Sequence, residues 1–292
     1  MDLRYLQSFV TVVECGSLAE AARRLDLTPA AIAARLHALE GDLGTVLVKR
    51  AGRSVKATEA GARILDLART VIRDVRDLAA VAADGSPVGE LRLGVFISAV
   101  SSVLPPVLKG LYRQYPKLNV FVELGHSVDL CRQVSSGALD AAIVVEPHFT
   151  LPKHCQWRAL IDEPLVMVAP AALAGSDPLA LLRTEPFIRY DRAVLGGQLV
   201  DRYLRDHGIR PQQRLEIDGL MGIATMVSHG LGVALLPDWT PMWRSGLAIV
   251  RIPLPDRPPV RRVGLVWAQT GPRVGLAEAF LGEACAVFGA GS

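Results

Sequence analysis

Between Ala62 and Ala83 the chain holds neither glycine nor proline, and the six residues that follow, Asp84-Gly85-Ser86-Pro87-Val88-Gly89, are all turn and breaker types save one valine. One long helix over about Thr58 to Ala83, ended by a linker, therefore splits the chain in two. Upstream, residues rich in Ala, Leu and Arg read as helical. Downstream, short apolar strands alternate with helical segments, which marks an α/β unit. A length of 292 residues suits two or three compact units, and 50% hydrophobic residues supply cores and argue against disorder.

In the first stretch Leu3, Leu6, Phe9, Val10 and Val13 recur at helical spacing. Gly16 stops that helix, and Ser17 can cap a second over about Leu18 to Leu25. Asp26-Leu27 is a short turn. Thr28 is a good N-cap, and Pro29 takes the first helical position, where a missing N–H costs nothing. A third helix runs to about Glu40. Two short helices joined this tightly are a helix-turn-helix. Leu47 to Lys56 then reads as two short strands around a Gly turn: a wing with the cations Lys49, Arg50, Arg53 and Lys56 and no acid. In the long helix Ile64, Ala68, Val71, Val75, Leu78 and Ala82 alternate spacings of four and three, a heptad seam with charged flanks. A dimeric coiled coil is expected; the alternative is one helix lying on a globular core.

The runs Leu3-x-x-Leu6-x-x-Phe9, Gly16-Ser17-Leu18-x-x-Ala21-Ala22-x-x-Leu25, Leu39-Glu40-x-x-Leu43-Gly44, Leu47-Val48-x-Arg50 and Thr58-x-Ala60-Gly61 resemble, in this order, the N-terminal domain of LysR-type transcriptional regulators. Gly125-His126-Ser127, Gly137-x-Leu139-Asp140-x-Ala142-Ile143 and Gly230-Leu231-Gly232-Val233-Ala234-Leu235-Leu236-Pro237 are similar to the family's effector domain. The resemblance covers essentially the whole chain. It implies an α+β multidomain protein: a winged helix-turn-helix over 1–58, a dimerising linker helix and hinge over 59–89, and a two-lobed α/β effector domain similar to periplasmic solute-binding proteins. Its first lobe is expected at 90–162 with 268–292 and its second at 163–267. The implied function is sequence-specific transcriptional regulation modulated by a small molecule, with an organic acid the expected class. The expected partners are double-stranded DNA, the effector and further copies of the chain as homodimer and homotetramer, with RNA polymerase a further candidate.

The third helix can be read independently of the family. Ile32, Leu36 and Leu39 share one face and should pack on the first two helices. The opposite face carries Ala30, Ala34 and His37, flanked by Ala33, and its N-terminal residues should lie nearest the bases. Family members usually place Gln, Ser and Arg at the positions of Pro29, Ala33 and Ala34, and Arg or Lys near His37. Alanine can touch only a thymine methyl. Weak direct readout is expected, with phosphate contacts from Thr28, Arg35 and the four wing cations; Arg50 can instead pair within its domain. Residues 1–60 hold eight Lys or Arg and seven acids, a net of +1, so where the charges sit should matter more than their sum.

In open α/β sheets ligands bind beyond the carboxyl ends of strands. That rule selects Ser98 after the first effector strand, His126 and Ser127 after the second, Arg189, Tyr190 and Arg192 at the end of a strand in the second lobe, and Asp218 and Met221 after another. Ser98, Ser127 and Asp218 read equally well as helix caps, and Arg189 as a solvated strand residue. Asp218 would repel an acid unless it faced a hydroxyl or amine. The glycines before Gln198 would let a ligand approach the backbone, or serve only the turn. Cys131 reads as a buried structural thiol, since no nearby cysteine pair is evident.

An overall formal charge of +3 excludes coating nucleic acid by bulk charge. There is no G-x-S-x-G elbow, phosphate loop or metal-ligand cluster, so neither catalysis, a metal nor a cofactor is expected. The four cysteines form no C-x-x-C pair. With no secretory pattern and no long apolar run, a cytoplasmic location without membrane association is expected.

Overall fold

The structure is a computed structural model that describes residues 1–52, 54–84, 90–270 and 273–289. Wing residue Arg53, the linker expected at 85–89 and the side chain of Ala82 lie outside the described residues. The chain divides into two compact units, the first built on Met1–Gly89 and the second on Glu90–Ser135 and Leu139–Ser292.

The first unit runs α1 (Leu3–Cys15), α2 (Leu18–Arg24), α3 (Pro29–Leu43), β1 (Val48–Ala51), β2 (Ser54–Ala57) and α4 (Glu59–Asp84). Its punctuation follows the sequence. Gly16 ends α1 in the left-handed region at φ 62°, and the Ser17 and Thr28 hydroxyls accept the Glu20 and Ala31 N–H groups at the next two helix starts. Phe9, Val12, Ile32, Leu39 and Leu47 form a solvent-free core. Ala68 and Ile72 of α4 join that core, with Ile64 and Val71 packed against it. Ala68 of the expected seam is thus buried within its own domain, with Ile64 and Val71 half-buried against the same core. An apolar stripe of period 3.5 serves packing within a chain as well as between chains, and here α1 claims its first half. Among the described side chains of α4, Leu67 at 63%, Val75 at 42% and Leu78 at 68% are exposed.

The second unit runs β3 (Glu90–Val95), α5 (Ala99–Ser102), α6 (Leu104–Gln114), β4 (Asn119–Leu124), α7 (Ser127–Ser135), β5 (Ala141–Val145), β6 (Cys155–Pro170), α8 (Pro178–Thr184), β7 (Pro186–Tyr190), α9 (Leu195–Asp206), β8 (Gln212–Ile217), α10 (Leu220–Ser228), β9 (Ala234–Pro237), α11 (Thr240–Trp243), β10 (Ile249–Pro253), β11 (Val260–Ala268) and α12 (Val274–Phe288). The strand order is β10-β6-β11-β5-β3-β4, with β9 also on β6, and a separate parallel pair β7-β8. A bridge from Phe187 to Val233 links that pair toward β9.

Strands β3, β4 and β5 are parallel neighbours, with β11 antiparallel on β5 from Val263↔Val145 to Trp267↔Ala141. The lobe boundary expected at 267 thus falls near the far end of a strand that belongs to the first sheet. The 16-residue β6 is shared: its first half pairs with β11 and its second with β9 and β10.

One core, around Leu93, Ile143, Leu265 and Phe280, lies under α6 and α12, and another, around Met167, Phe187, Ile223 and Leu235, fills the second lobe. Leu195, at the start of α9, belongs to the first of these cores.

Candidate functional site

In the first unit, α3 turns Ile32, Leu36 and Leu39 inward and leaves Thr28, Pro29, Ala30, Ala33, Ala34 and His37 exposed, as its periodicity requires. Arg35 is half-buried and its charge acts on Asp2, although the hydrogen bonds from Arg4 are what chiefly hold the Asp2 carboxyl down at about 2. In the wing, β1 and β2 pair with Lys49 directly opposite Lys56 and Arg50 opposite Val55. Like charges facing each other across a ladder repel, and an anion placed between them relieves that cost. Among the described residues Lys49, Arg50 and Lys56 are exposed and pair with no carboxylate.

Three further residues hold the start of the wing, Glu40 from α3 and Thr58 and Gly61 from the start of α4. The Glu40 carboxylate accepts the N–H groups of Leu47 (2.7 Å) and Val48 (3.2 Å). Thr58 donates its hydroxyl to the Val46 carbonyl and accepts Gly61 N–H. A side chain at Gly61 would place its Cβ 2.1 Å from the Leu47 carbonyl oxygen, so only glycine fits there.

In the second unit a cavity of about 250 Å³ opens beyond the carboxyl ends of the parallel strands. Phe96 and Ile97 follow β3; Leu124, Gly125 and His126 lie at the end of β4. Ser127 and Val128 begin α7, Leu195 and Gly196 begin α9, Tyr190 ends β7 and Asp218 follows β8; all line it. Of the residues picked from sequence, His126, Ser127, Tyr190 and Asp218 meet here, while Ser98, Arg189, Arg192 and Met221 are not on the wall.

Each departure has a cause. Successive strand residues point to opposite faces, so with Tyr190 facing the cavity Arg189 turns away, donating to Gln213 (2.6 Å) and Asp201 (2.8 Å). Arg192 is held by both Glu216 oxygens at 2.8 and 2.7 Å, bonds that hold the Glu216 carboxyl down at about 2. Ser98 is buried, its hydroxyl without a partner and its carbonyl accepting from Ser102. Met221 is exposed on α10. Ser127 is doubly used, its Oγ accepting Val145 N–H at 3.1 Å.

The strand-end rule also reaches the apolar wall residues Phe96, Ile97 and Leu124, whose chemistry alone does not mark a site. The glycine pair serves packing: a Cβ at Gly196 would lie 2.6 Å from the Tyr190 ring, and one at Gly197 1.8 Å from the Asp191 carbonyl oxygen. Behind the wall stands Arg261, wholly buried and bonded to Glu163 at 2.7 Å, with its guanidinium carbon 5.4 Å from the Phe96 ring centre. Burial pushes the Glu163 carboxyl up in spite of Arg261. No pattern around Arg261 in the sequence reports this.

Cys131 and Cys155, far apart in sequence, share one apolar cluster. Burial pushes the Cys131 thiol up to about 11, with Cys155 adding to the shift, and raises Cys155 as well, so both stay protonated and inert. Among the described residues no group of three or more metal-ligating side chains gathers, and no helix is long and apolar enough to cross a membrane.

A winged helix-turn-helix joined to a two-lobed α/β unit with a cavity at its strand ends defines a ligand-responsive DNA-binding regulator. The comparisons with known proteins agree. A family described as "Bacterial regulatory helix-turn-helix protein, lysR family" matches residues 3–62, and "LysR substrate binding domain" matches residues 84–288. The chain is 29% identical to the HTH-type transcriptional regulator CzcR of Bacillus cereus over 239 residues, 82% of this chain and 81% of that one. It is also 29% identical to the HTH-type transcriptional activator IlvY of Salmonella typhimurium over 246 residues, 82% and 83% of the two chains. Full-length OxyR from Pseudomonas aeruginosa shares the fold, with a TM-score of 0.74 at 23% identity over 98% of this chain and 95% of that one. So does full-length CbnR in complex with its target DNA, with a TM-score of 0.73 at 20% identity over 97% and 100%. The chain belongs to the LysR family: it is a DNA-binding transcriptional regulator with an effector-binding domain, not an enzyme.

Proposed function

We propose that the protein binds double-stranded DNA as a symmetric pair or a pair of pairs, with α3 in the major groove and its affinity drawn mainly from phosphates. The observation that carries this is the exposed face of α3: Ala30, Ala33 and Ala34 offer no hydrogen bond to a base edge, while Lys49, Arg50 and Lys56 stand unpaired on the adjoining wing. Thr28 and Arg35 supply further phosphate contacts, and sequence preference comes from DNA shape and half-site spacing. Among the described residues, Leu67, Val75 and Leu78 are the exposed large apolar side chains of α4 on which a second copy would pack. The effector is a small organic acid held in the 250 Å³ cavity, where the starts of α7 and α9 offer free N–H groups to a carboxylate.

Footprinting on the protein's own upstream DNA, across a salt series and with every operator base substituted in turn, tests this. Two protected sites on one DNA face, steep weakening with salt and shallow penalties under α3 are expected. Strong penalties at major-groove positions under α3 would overturn the phosphate-led account.

A further inference from the structure

Two charged groups, one on the cavity wall and one behind it, bear on what the cavity can hold. The first is Asp218. It stands half-buried on the wall with Oδ1 accepting the Gly219 N–H at 2.7 Å, and among the described residues no cation pairs with it. Arg192, the nearby candidate, is bound to Glu216. The second is Arg261, whose charge Glu163 already balances, but whose Nη1 is buried without a hydrogen-bond partner. The charges of Arg261 and Asp218 act on the phenol of Tyr190 with opposite signs. Tyr190 is thus set between a positive and a negative group, and its hydroxyl can donate to one ligand group or accept from another.

With Arg261 and Glu163 close to neutral as a pair, the uncompensated side-chain charge on this wall is the carboxylate of Asp218. A ligand that brought only a second carboxylate would meet repulsion in a space walled by Phe96, Ile97 and Leu124. A ligand that also carried a cation would satisfy Asp218 while its own carboxylate took the N–H groups at the starts of α7 and α9. The cavity volume of about 250 Å³ equals roughly eight waters at about 30 Å³ each. That is the scale of one small metabolite with an apolar body.

We infer that the ligand of this cavity is a free α-amino acid with an apolar side chain, its ammonium on Asp218 and its carboxylate at the two helix starts. This rests on the effector reading above and narrows it from an acid to an amphoteric acid. A buried hydrogen bond to a charged group sets the expected discrimination: removing the amine costs about 10- to 100-fold in affinity.

The test is calorimetric titration of the full chain with valine, leucine and phenylalanine, each beside its des-amino acid and its 2-hydroxy acid, repeated on Asp218→Asn. Asparagine keeps the acceptor for Gly219, and tryptophan fluorescence verifies that the variant is folded. The expected result is binding of an amino acid at least tenfold tighter than its des-amino and 2-hydroxy counterparts, with that preference collapsing toward one in the variant. The inference is overturned if a des-amino or 2-hydroxy acid binds as tightly, if no amino acid binds, or if the variant keeps the preference. Footprinting with the same compounds separates this from the reading beneath it. A des-amino acid that binds as tightly as its amino acid and shifts the footprint removes the amino-acid ligand and leaves the regulator; a chain with no DNA preference removes the regulator whatever the titration shows.

Discussion

Arg261→Met is the substitution with the most predictable consequence. Arg261 is wholly buried beside Glu163, which is itself only 5% exposed, so the variant leaves a carboxylate in an apolar site without its cation. Breaking a buried pair from one side costs about 3–5 kcal/mol. The second unit has about 200 residues, and a domain of that size loses about 2–4 °C per kcal/mol, so its melting should fall by about 6–20 °C.

The pH dependence gives the sign. Glu163 already titrates above its ordinary 4.5 because burial outweighs Arg261, and losing Arg261 raises it further. The folded state then holds the proton more tightly than the unfolded state. The penalty is absent below pH 4.5, grows as pH rises toward the folded pKa and is complete above it. The variant's deficit should therefore be larger at pH 8 than at pH 5. Adding Glu163→Leu should recover much of the loss, since no lone charge remains.

All four tryptophans, Trp157, Trp239, Trp243 and Trp267, lie in this unit, so urea unfolding followed by tryptophan fluorescence reports on it alone. A deficit below about 1 kcal/mol, equal deficits at the two pH values, or a double variant weaker than the single one would refute the buried-pair reasoning.

Gly61→Ala should destabilise the first unit by about 1–3 kcal/mol, because its Cβ meets backbone, which yields less readily than side chain; circular dichroism melts and DNA affinity should fall together, and an unshifted melt would show that the wing can move aside. Lys49→Ala and Lys56→Ala should each lower the slope of log affinity against log salt by about one, alike on operator and random duplex; a loss confined to the operator would mean these lysines read sequence. With a thiol reagent at pH 8, the half-buried Cys15 and Cys285 should react before Cys131 and Cys155, and denaturant should abolish the difference. Early modification of Cys131 would contradict its burial.

The exposed face of α3 was legible in the sequence because a helix period of 3.6 decides it locally. Once Thr28 and Pro29 set the start of α3, placing Ile32, Leu36 and Leu39 in the core leaves the alanines and His37 outside. The wing was legible for the same kind of reason, since Gly52 at φ 63° sets the turn and β1 and β2 flank it. The strand-end rule reached His126, Ser127, Tyr190 and Asp218 because parallel strands fix where a cavity can open.

What the sequence determined by itself was therefore local and periodic: the punctuation of the helices, the two faces of α3, the wing and the alternation that makes the second unit α/β. Tertiary structure alone decided which of two adjacent residues, Arg189 or Tyr190, faces the cavity, and that α1 takes Ala68 from the seam of α4. It also decided that Cys131 meets Cys155, and that Arg261 meets Glu163 from 98 residues away. These outcomes depend on which surfaces the rest of the chain brings together. Spacing along a sequence records a residue's near neighbours, while burial and pairing are set by residues that are distant in sequence and adjacent only once the sheets have formed.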